Sequence, residues 1–178
     1  MSLSTLKFRQ SDGFTFVEVC VAVVIAVIFA GAAFATNNRL LIALKDQKEA
    51  TAATMMLQER METFRSFTYS NVANKDYVNT TIVQVPTNSE APLGNLTEYV
   101  TISGNTPTSG YTPVPSSDYN QWLRNSSHPN GQELNHNSNL ATNYDLLKVD
   151  IVITWQAANG RIRTRELVSI FGKGNAGQ

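Results

Sequence analysis

The hydrophobic pattern of the chain is dominated by one long apolar run close to its start. A short polar stretch, Met1–Gly13, carries Lys7 and Arg9, and 22 almost uniformly apolar residues follow over Phe14–Ala35. A helix needs about 20 apolar residues to cross the hydrocarbon core of a bilayer. The pattern therefore predicts a membrane-spanning helix over residues 14–35.

Two other export segments also combine a basic start with an apolar run. A secretory signal peptide has an apolar region of about 7–15 residues that ends at a cleavage site, whereas this run is longer and continues into a helical pattern. A lipidated Cys20 would need an apolar stretch before it, but Glu18 lies two residues upstream. We therefore interpret Cys20 as a small apolar residue of the helix.

Beyond Ala35 the pattern changes from uniformly apolar to amphipathic. No proline occurs before Pro86 and no glycine before Gly94, and good helix formers dominate. Apolar residues recur at spacings of three and four, as expected for one face of a helix: Ala50, Ala53, Leu57, Met61 and Phe64. The helix is therefore predicted to continue over residues 36–67, with an apolar stripe that needs a cover.

The remaining part, residues 68–178, has the pattern of a small antiparallel sheet. Runs rich in β-branched and aromatic residues predict strands at Tyr77–Val85, Thr97–Ser103, Leu146–Trp155 and Arg161–Phe171. The predicted fold class is α+β, with a long N-terminal helix packed on an antiparallel sheet of about four strands.

The last two predicted strands meet at Asn159-Gly160, a strong signal for a two-residue type I′ turn. This turn implies a register in which Ile151 lies opposite Val168. The same register puts three arginines on the other face, either as a solvated surface or as a contact with another subunit: Arg161, Arg163 and Arg165.

A polar segment at residues 104–143 separates the predicted strands. It holds eight asparagines and four prolines, which predicts a long loop. Loops of this length inside a small domain usually have a function, contact a partner or move. Tyr111, Tyr119 and Trp122 are predicted to anchor it on the sheet.

Composition and motifs give no support for catalysis. Lysine plus arginine equals aspartate plus glutamate at 14 each, so no net charge attracts nucleic acid. The two histidines, His128 and His136, and the single cysteine lack zinc-site spacing, and no P-loop or nucleophile-elbow motif occurs. We predict no enzyme activity, no metal, no cofactor and no nucleic-acid partner, while calcium binding by loop oxygens stays open.

Glu18 breaks the apolar run at its fifth residue. A charged side chain inside the bilayer costs about 2.5–3.5 kcal/mol on insertion scales. It either snorkels to the membrane surface or pairs with a positive group in the membrane.

The sequence GFTFVE at residues 13–18, between a short basic leader and the apolar run, resembles the class III signal of type IV prepilins and type II secretion pseudoprepilins. In that family a prepilin peptidase cuts after the glycine and methylates the new amino terminus. The resemblance implies removal of a leader at residues 1–13 by cleavage between Gly13 and Phe14, and N-methylation of Phe14. It also implies that Glu18 pairs with the amino terminus of a neighbouring subunit.

The implied function is that of a structural subunit of a type IV pilus or type II secretion pseudopilus. The closing sequence LLKVDIVITWQAANGRIRTRELVSIF, at residues 146–171, resembles the C-terminal hairpin of minor pilins of the pilus-modification type and of minor pseudopilins. This resemblance implies a minor subunit with a pilin-like lollipop fold. The implied partners are other pilin or pseudopilin subunits, prepilin peptidase and the inner-membrane assembly platform.

The implied location is a single-pass position in the bacterial inner membrane, followed by incorporation into the filament. The N-terminus is then cytoplasmic, and residues 68–178 form a periplasmic or extracellular β-domain. The alternative is a signal-anchored inner-membrane protein whose periplasmic β-domain binds a partner.

Overall fold

The computed structural model describes residues 15–105, 118–136 and 140–174, and the chain divides into two compact units. The first unit, Met1–Leu41, is helical from Phe16 onward. The second unit, Ile42–Gln178, contains a five-stranded sheet and the remaining helices. The predicted α+β fold class is confirmed.

One continuous helix, α1 (Phe16–Arg65), contains both predicted helical segments. Its end lies two residues before the predicted end at Phe67, a difference typical of fraying helix termini. Within the second unit, four of the five residues of the predicted apolar stripe are buried against the sheet, and Ala50 is half-buried. The buried apolar positions of this face also include Ala52 and Met56: Ala52, Ala53, Met56, Leu57, Met61 and Phe64.

The sheet is antiparallel throughout, with the strand order β3-β2-β1-β4-β5. Its strands are β1 (Gly94–Asn105), β2 (Tyr119–Asn125), β3 (His128–Asn135), β4 (Leu146–Gln156) and β5 (Ile162–Gly172). Alternate residues of β4 are buried, because one face of the sheet packs on α1 and the other faces solvent: Leu147, Val149, Ile151, Ile153 and Trp155.

The predicted strand at Tyr77–Val85 is wrong, because this segment is helical. Short helices α2 (Tyr69–Ala73) and α3 (Lys75–Val78) lead into a π-helical segment at Asn79–Val83, and α4 (Leu140–Asn143) precedes β4. The Asn74 side chain accepts hydrogen bonds from the first amides of α3 and starts that helix. Local capping thus overrides the β propensity of the following valines and threonines.

The hairpin between β4 and β5 differs from the predicted two-residue turn. The Gly160 amide donates to the Ala157 carbonyl, and the Ala157 amide donates to the Arg161 carbonyl, both at 2.8 Å. Gly160 has a φ of +80°, whereas Asn159 does not have a positive φ. The loop is therefore a type I turn closed by a glycine bulge, which adds one residue.

This extra residue shifts the predicted register of β5 by one position. Ile151 lies opposite Leu167 instead of Val168. A one-residue shift exchanges the two faces of a strand, so Arg163 and Arg165 lie on the face that packs on α1. The prediction that these arginines occupy the opposite face is wrong.

The prediction of a long loop at residues 104–143 is wrong for residues 118–136, the part between β1 and α4 that the structure describes. Residues 119–135 form the β2–β3 hairpin, and Trp122 is fully buried opposite Val100. Asn120 and Arg124 occupy the other inward positions of β2, which hides the apolar alternation in the sequence. Tyr119 begins β2, and Tyr111 lies outside the described residues.

Candidate functional site

The first half of α1 is a candidate membrane anchor. It is the only helix in the described residues that is long and apolar enough to cross a bilayer, and none of its most apolar window is buried. Large side chains project freely along it, with Phe16 83% and Phe34 72% exposed. An apolar surface of this size needs lipid or other helices as a cover.

Glu18 lies in the first turn of this helix and forms a capping box with Thr15. A Glu18 carboxylate oxygen accepts hydrogen bonds from the backbone amide and the hydroxyl of Thr15, both at 2.9 Å. The Glu18 amide in turn donates to the Thr15 hydroxyl at 3.3 Å. Two free donors at the helix start are thereby satisfied, and the negative charge lies favourably at the positive end of the helix dipole.

The sequence interpretation missed this local partner of Glu18. The signal was present as Thr15-x-x-Glu18 immediately before an apolar run, which is the pattern of a capping box. The other two predicted site residues, Gly13 and Phe14, lie outside the described residues. Of the three predicted site residues, only Glu18 lies in the part of the chain that the structure describes.

A shallow apolar groove follows Glu18 along the helix. Ala22 and Ala26 are small residues one turn apart, and they line the groove together with Val19 and Val23. Small residues at this spacing allow another helix to approach closely within a membrane. The groove and the Glu18 carboxylate are adjacent features of one helical surface.

The second unit contains a different group of charges, a buried ion network between α1, β1 and β2. The Arg60 guanidinium donates to both carboxylate oxygens of Glu98, at 2.8 and 3.1 Å, and to the Ile82 carbonyl at 2.6 Å. Arg124 donates to Glu98 at 2.8 Å and also pairs with Glu90. Arg60 and Glu98 retain only 4% and 1% side-chain exposure.

The network balances two arginines against two glutamates. Burial alone lowers the pKa of Arg124, but its hydrogen bonds and ion pairs with Glu90 and Glu98 outweigh burial and raise the pKa. Each guanidinium is engaged by carboxylates of the same chain, so neither offers a free site for an anionic ligand. The network connects the helix to the sheet, which is a structural role.

The sequence also carried a signal for this network. Arg60 lies three residues after Leu57 and four before Phe64, so it occupies the apolar stripe of α1. Glu98 alternates with Val100 and Ile102, at a core position of β1. Charges at core positions of two predicted elements indicate a buried pair.

The described residues hold no group of three or more histidine, cysteine, aspartate or glutamate side chains that could bind a metal ion. His136 is paired with Glu133 at 2.7 Å, at the exposed end of β3. Free Cys20 is exposed on the apolar half of α1. Of the groups in the described part of the chain, Glu18 on its apolar helix is the strongest functional candidate.

No protein-family model, no curated protein and no solved structure matches this chain.

Proposed function

We propose that this chain is a structural subunit of a type IV pilus or a type II secretion pseudopilus, in the class of minor subunits. It is inserted in the bacterial inner membrane by the first half of α1, cleaved after Gly13 and methylated at Phe14 by prepilin peptidase. It then assembles with other pilin or pseudopilin subunits at the inner-membrane platform. The α+β fold and the candidate membrane anchor are consistent with this proposal.

The observation that carries the proposal is the position of Glu18. It is the only acidic residue in residues 14–45, and it lies in the first turn of an uncovered apolar helix. An isolated carboxylate in a membrane is unfavourable until a positive group pairs with it. The amino terminus of a neighbouring subunit would supply that positive group and fix the axial register between subunits.

The capping box supports a second interpretation, in which Glu18 serves only its own helix. Thr15 already satisfies one Glu18 oxygen with two hydrogen bonds. In that case the chain is a signal-anchored inner-membrane protein whose β-domain binds a partner. The two interpretations differ in one property, since docking needs the negative charge and capping needs only a hydrogen-bond acceptor.

Glu18→Gln and Thr15→Val separate the two roles. Glutamine at this position preserves a capping box but removes the charge, while valine removes the capping hydroxyl and leaves the charge in place. In a host that assembles the filament, Glu18→Gln should be processed normally but be lost from the sheared filament fraction. Thr15→Val should still be incorporated.

The measurement is the ratio of mature subunit in filaments to mature subunit in membranes, determined by immunoblot. Cleavage is followed in the same samples by the size difference between precursor and mature chain. Normal incorporation of Glu18→Gln, together with loss of Thr15→Val, would assign Glu18 to capping and refute the docking role.

A further inference from the structure

Strand β5 runs alongside α1 in the same direction. Arg163, near the start of β5, donates to Asp46 at 3.3 Å, and Phe171, near its end, packs on Phe64 with ring centroids 6.3 Å apart. The 18 helical residues from position 46 to 64 rise about 27 Å, and the eight strand residues from 163 to 171 span about 26 Å. The hairpin before β5 therefore lies where α1 enters the second unit.

This hairpin is fixed to the helix by hydrogen bonds. The Ala158 amide donates to the Glu49 carboxylate at 3.1 Å, and the Asn159 side chain donates to Asp46 at 2.6 Å. Both carboxylates of this part of α1 are thus engaged by the hairpin. They hold the start of β5 next to the first helical turns of the unit.

Five basic side chains are exposed at this end of the unit, and together we call them the basic end: Lys45, Lys48, Arg161, Arg163 and Arg165. Lys45 lies on the same helical stripe as the buried Glu49 and Ala52, at spacings of four and seven. It is exposed because the sheet ends at the hairpin and does not extend over it. The sheet therefore leaves positive charge uncovered at its edge.

The acidic groups that face the basic end do not neutralise it. Asp46 pairs with Arg163, and Glu49 is buried under the hairpin at 3% exposure. Within the described part of the chain, no ion pair engages the other four basic side chains. The basic end therefore keeps a net positive charge.

Exposed apolar side chains lie among these charges. Ile42 and Leu44 precede Lys45 on α1 and are 46% and 52% exposed, and Ile162 is 79% exposed between two arginines of β5. A mixture of lysine or arginine with exposed aliphatic side chains is typical of protein surfaces that lie at the membrane–water boundary.

Few residues separate this surface from the candidate anchor in sequence. Six residues, 36–41, separate Ala35, at the end of the apolar run, from Ile42, and seven residue steps span at most about 25 Å even when fully extended. Exposed charges attract an anionic surface over the Debye length of about 8 Å at physiological salt, so this short connection keeps the basic end within about three Debye lengths of the end of the apolar run. A second copy of the chain would need a matching acidic surface, whereas the membrane is brought near by the chain itself.

We propose that the basic end binds the anionic headgroups of the membrane that α1 enters, with its lysines and arginines on lipid phosphates and its exposed aliphatic side chains at the interface. This contact would hold the sheet against the membrane before it engages any partner. The proposal rests on the membrane anchor alone, so failure of the Glu18 docking role would leave it intact.

The test uses the full chain with Cys20→Ala, inserted as one copy per lipid nanodisc. An environment-sensitive fluorophore is placed on Ala158→Cys in the hairpin, or on Ser66→Cys at the other end of the same helical stretch, about 30 Å from Lys45. Nanodiscs of phosphatidylcholine are compared with nanodiscs that also contain phosphatidylglycerol. The hairpin label should brighten and shift to the blue in the anionic discs, and the Ser66→Cys label should not.

Two matched double variants test the role of charge. One removes two positive charges from the basic end, and the other removes two from the opposite end of the unit. Since each basic side chain strengthens binding to an anionic surface about fivefold, Lys45→Gln with Lys48→Gln should lower the ratio of bound to free hairpin about 25-fold. Arg65→Gln with Lys173→Gln removes the same charge from the other end and should leave the signal unchanged.

Equal signals in the two lipid compositions, or an equal response at Ser66→Cys, would overturn the proposal. A chain that does not insert into the nanodisc would overturn it as well. A hairpin signal that is absent from single-copy nanodiscs but emerges in densely loaded liposomes would assign the basic end to a second copy of the chain instead.

Discussion

The two halves of α1 share one helical geometry but differ in what covers them. In the first half, apolar side chains surround the helix and remain exposed, whereas in the second half they form a single buried stripe. The first half thus depends on lipid or other helices for its cover, and the second half is covered by the sheet of the same chain. A long helix can therefore serve two environments when the period of its apolar pattern changes along it.

The largest effects on stability and on membrane insertion are expected when a lysine is placed in the second or in the first half of α1. Met56→Lys puts an unpaired charge into the core, where Met56 is fully buried, and should remove most of the stability of the second unit. Val24→Lys should leave that unit folded but cost about 2.5–3.5 kcal/mol in membrane insertion. Tryptophan fluorescence of the detergent-solubilised chain reports the first effect, since Trp122 and Trp155 are buried in the core.

If Val24→Lys unfolded the second unit as strongly as Met56→Lys, the two halves would not be independent. Fractionation of expressing cells measures the insertion effect, with the wild-type chain as reference. Complete membrane insertion of Val24→Lys would contradict the assignment of the first half as the anchor.

The second largest change in stability is expected when the buried ion network loses one of its arginines. Arg60→Met keeps the size of the side chain but leaves Glu98 without one of its two arginines, and should destabilise the second unit by about 3–5 kcal/mol. Arg65→Met removes an exposed pair with Glu62 and should change the stability by less than about 1 kcal/mol. Urea unfolding curves of both variants give the comparison, and equal midpoints would refute the structural role of the network.

A smaller loss of stability is expected from a substitution in the β4–β5 hairpin. Gly160 has a positive φ but open space around its Cα, so Gly160→Ala should cost only the backbone strain of about 1–2 kcal/mol. Gly174→Ala also meets open space, has no positive φ and should be neutral within about 0.5 kcal/mol. Equal unfolding midpoints for the two variants would contradict the observed turn.

The smallest change in stability is expected from the ionisation of two tyrosines at high pH. The hydrogen bond from the Tyr144 hydroxyl to Asp118 raises the pKa of Tyr144, and burial together with nearby Asp145 raises that of Tyr69. The folded state thus holds both phenol protons more tightly than the unfolded chain. Their stabilising contribution is complete below the unfolded pKa of about 10 and is lost as pH rises through the folded pKa values.

This pH dependence is measured by urea unfolding between about pH 8 and about pH 11. The wild-type midpoint should fall over this interval, and Tyr144→Phe should show a shallower fall. An unchanged slope in Tyr144→Phe would show that the hydrogen bond to Asp118 does not contribute to the titration.

Much of the fold could be predicted because periodic patterns determine which face of an element is buried. The stripe ending at Phe64 and the alternation in β4 predicted the helix and this strand correctly. The strand predicted at Tyr77–Val85 was wrong, because capping by Asn74 is a local feature that competes with β propensity. The register of β5 was wrong because Asn-Gly suits both a two-residue turn and a glycine bulge.

The candidate site was predictable only in part. Glu18 stands out in sequence because a charge inside an apolar run is costly, and its hydrogen bonds to Thr15 could have been predicted from the capping-box pattern Thr15-x-x-Glu18 but were missed. Arg60 and Glu98 are distant in sequence, so their pairing depends on how α1 packs on the sheet. Patterns along the chain identify unusual charges, and the tertiary structure determines their partners.

The most direct test of the proposed function is mass spectrometry of the N-terminal peptide from native, membrane-extracted protein. Processing by prepilin peptidase predicts a mature chain that begins at N-methylated Phe14. An intact terminus at Met1 or Ser2, in a host with active prepilin peptidase, would contradict it and identify the chain as a signal-anchored membrane protein.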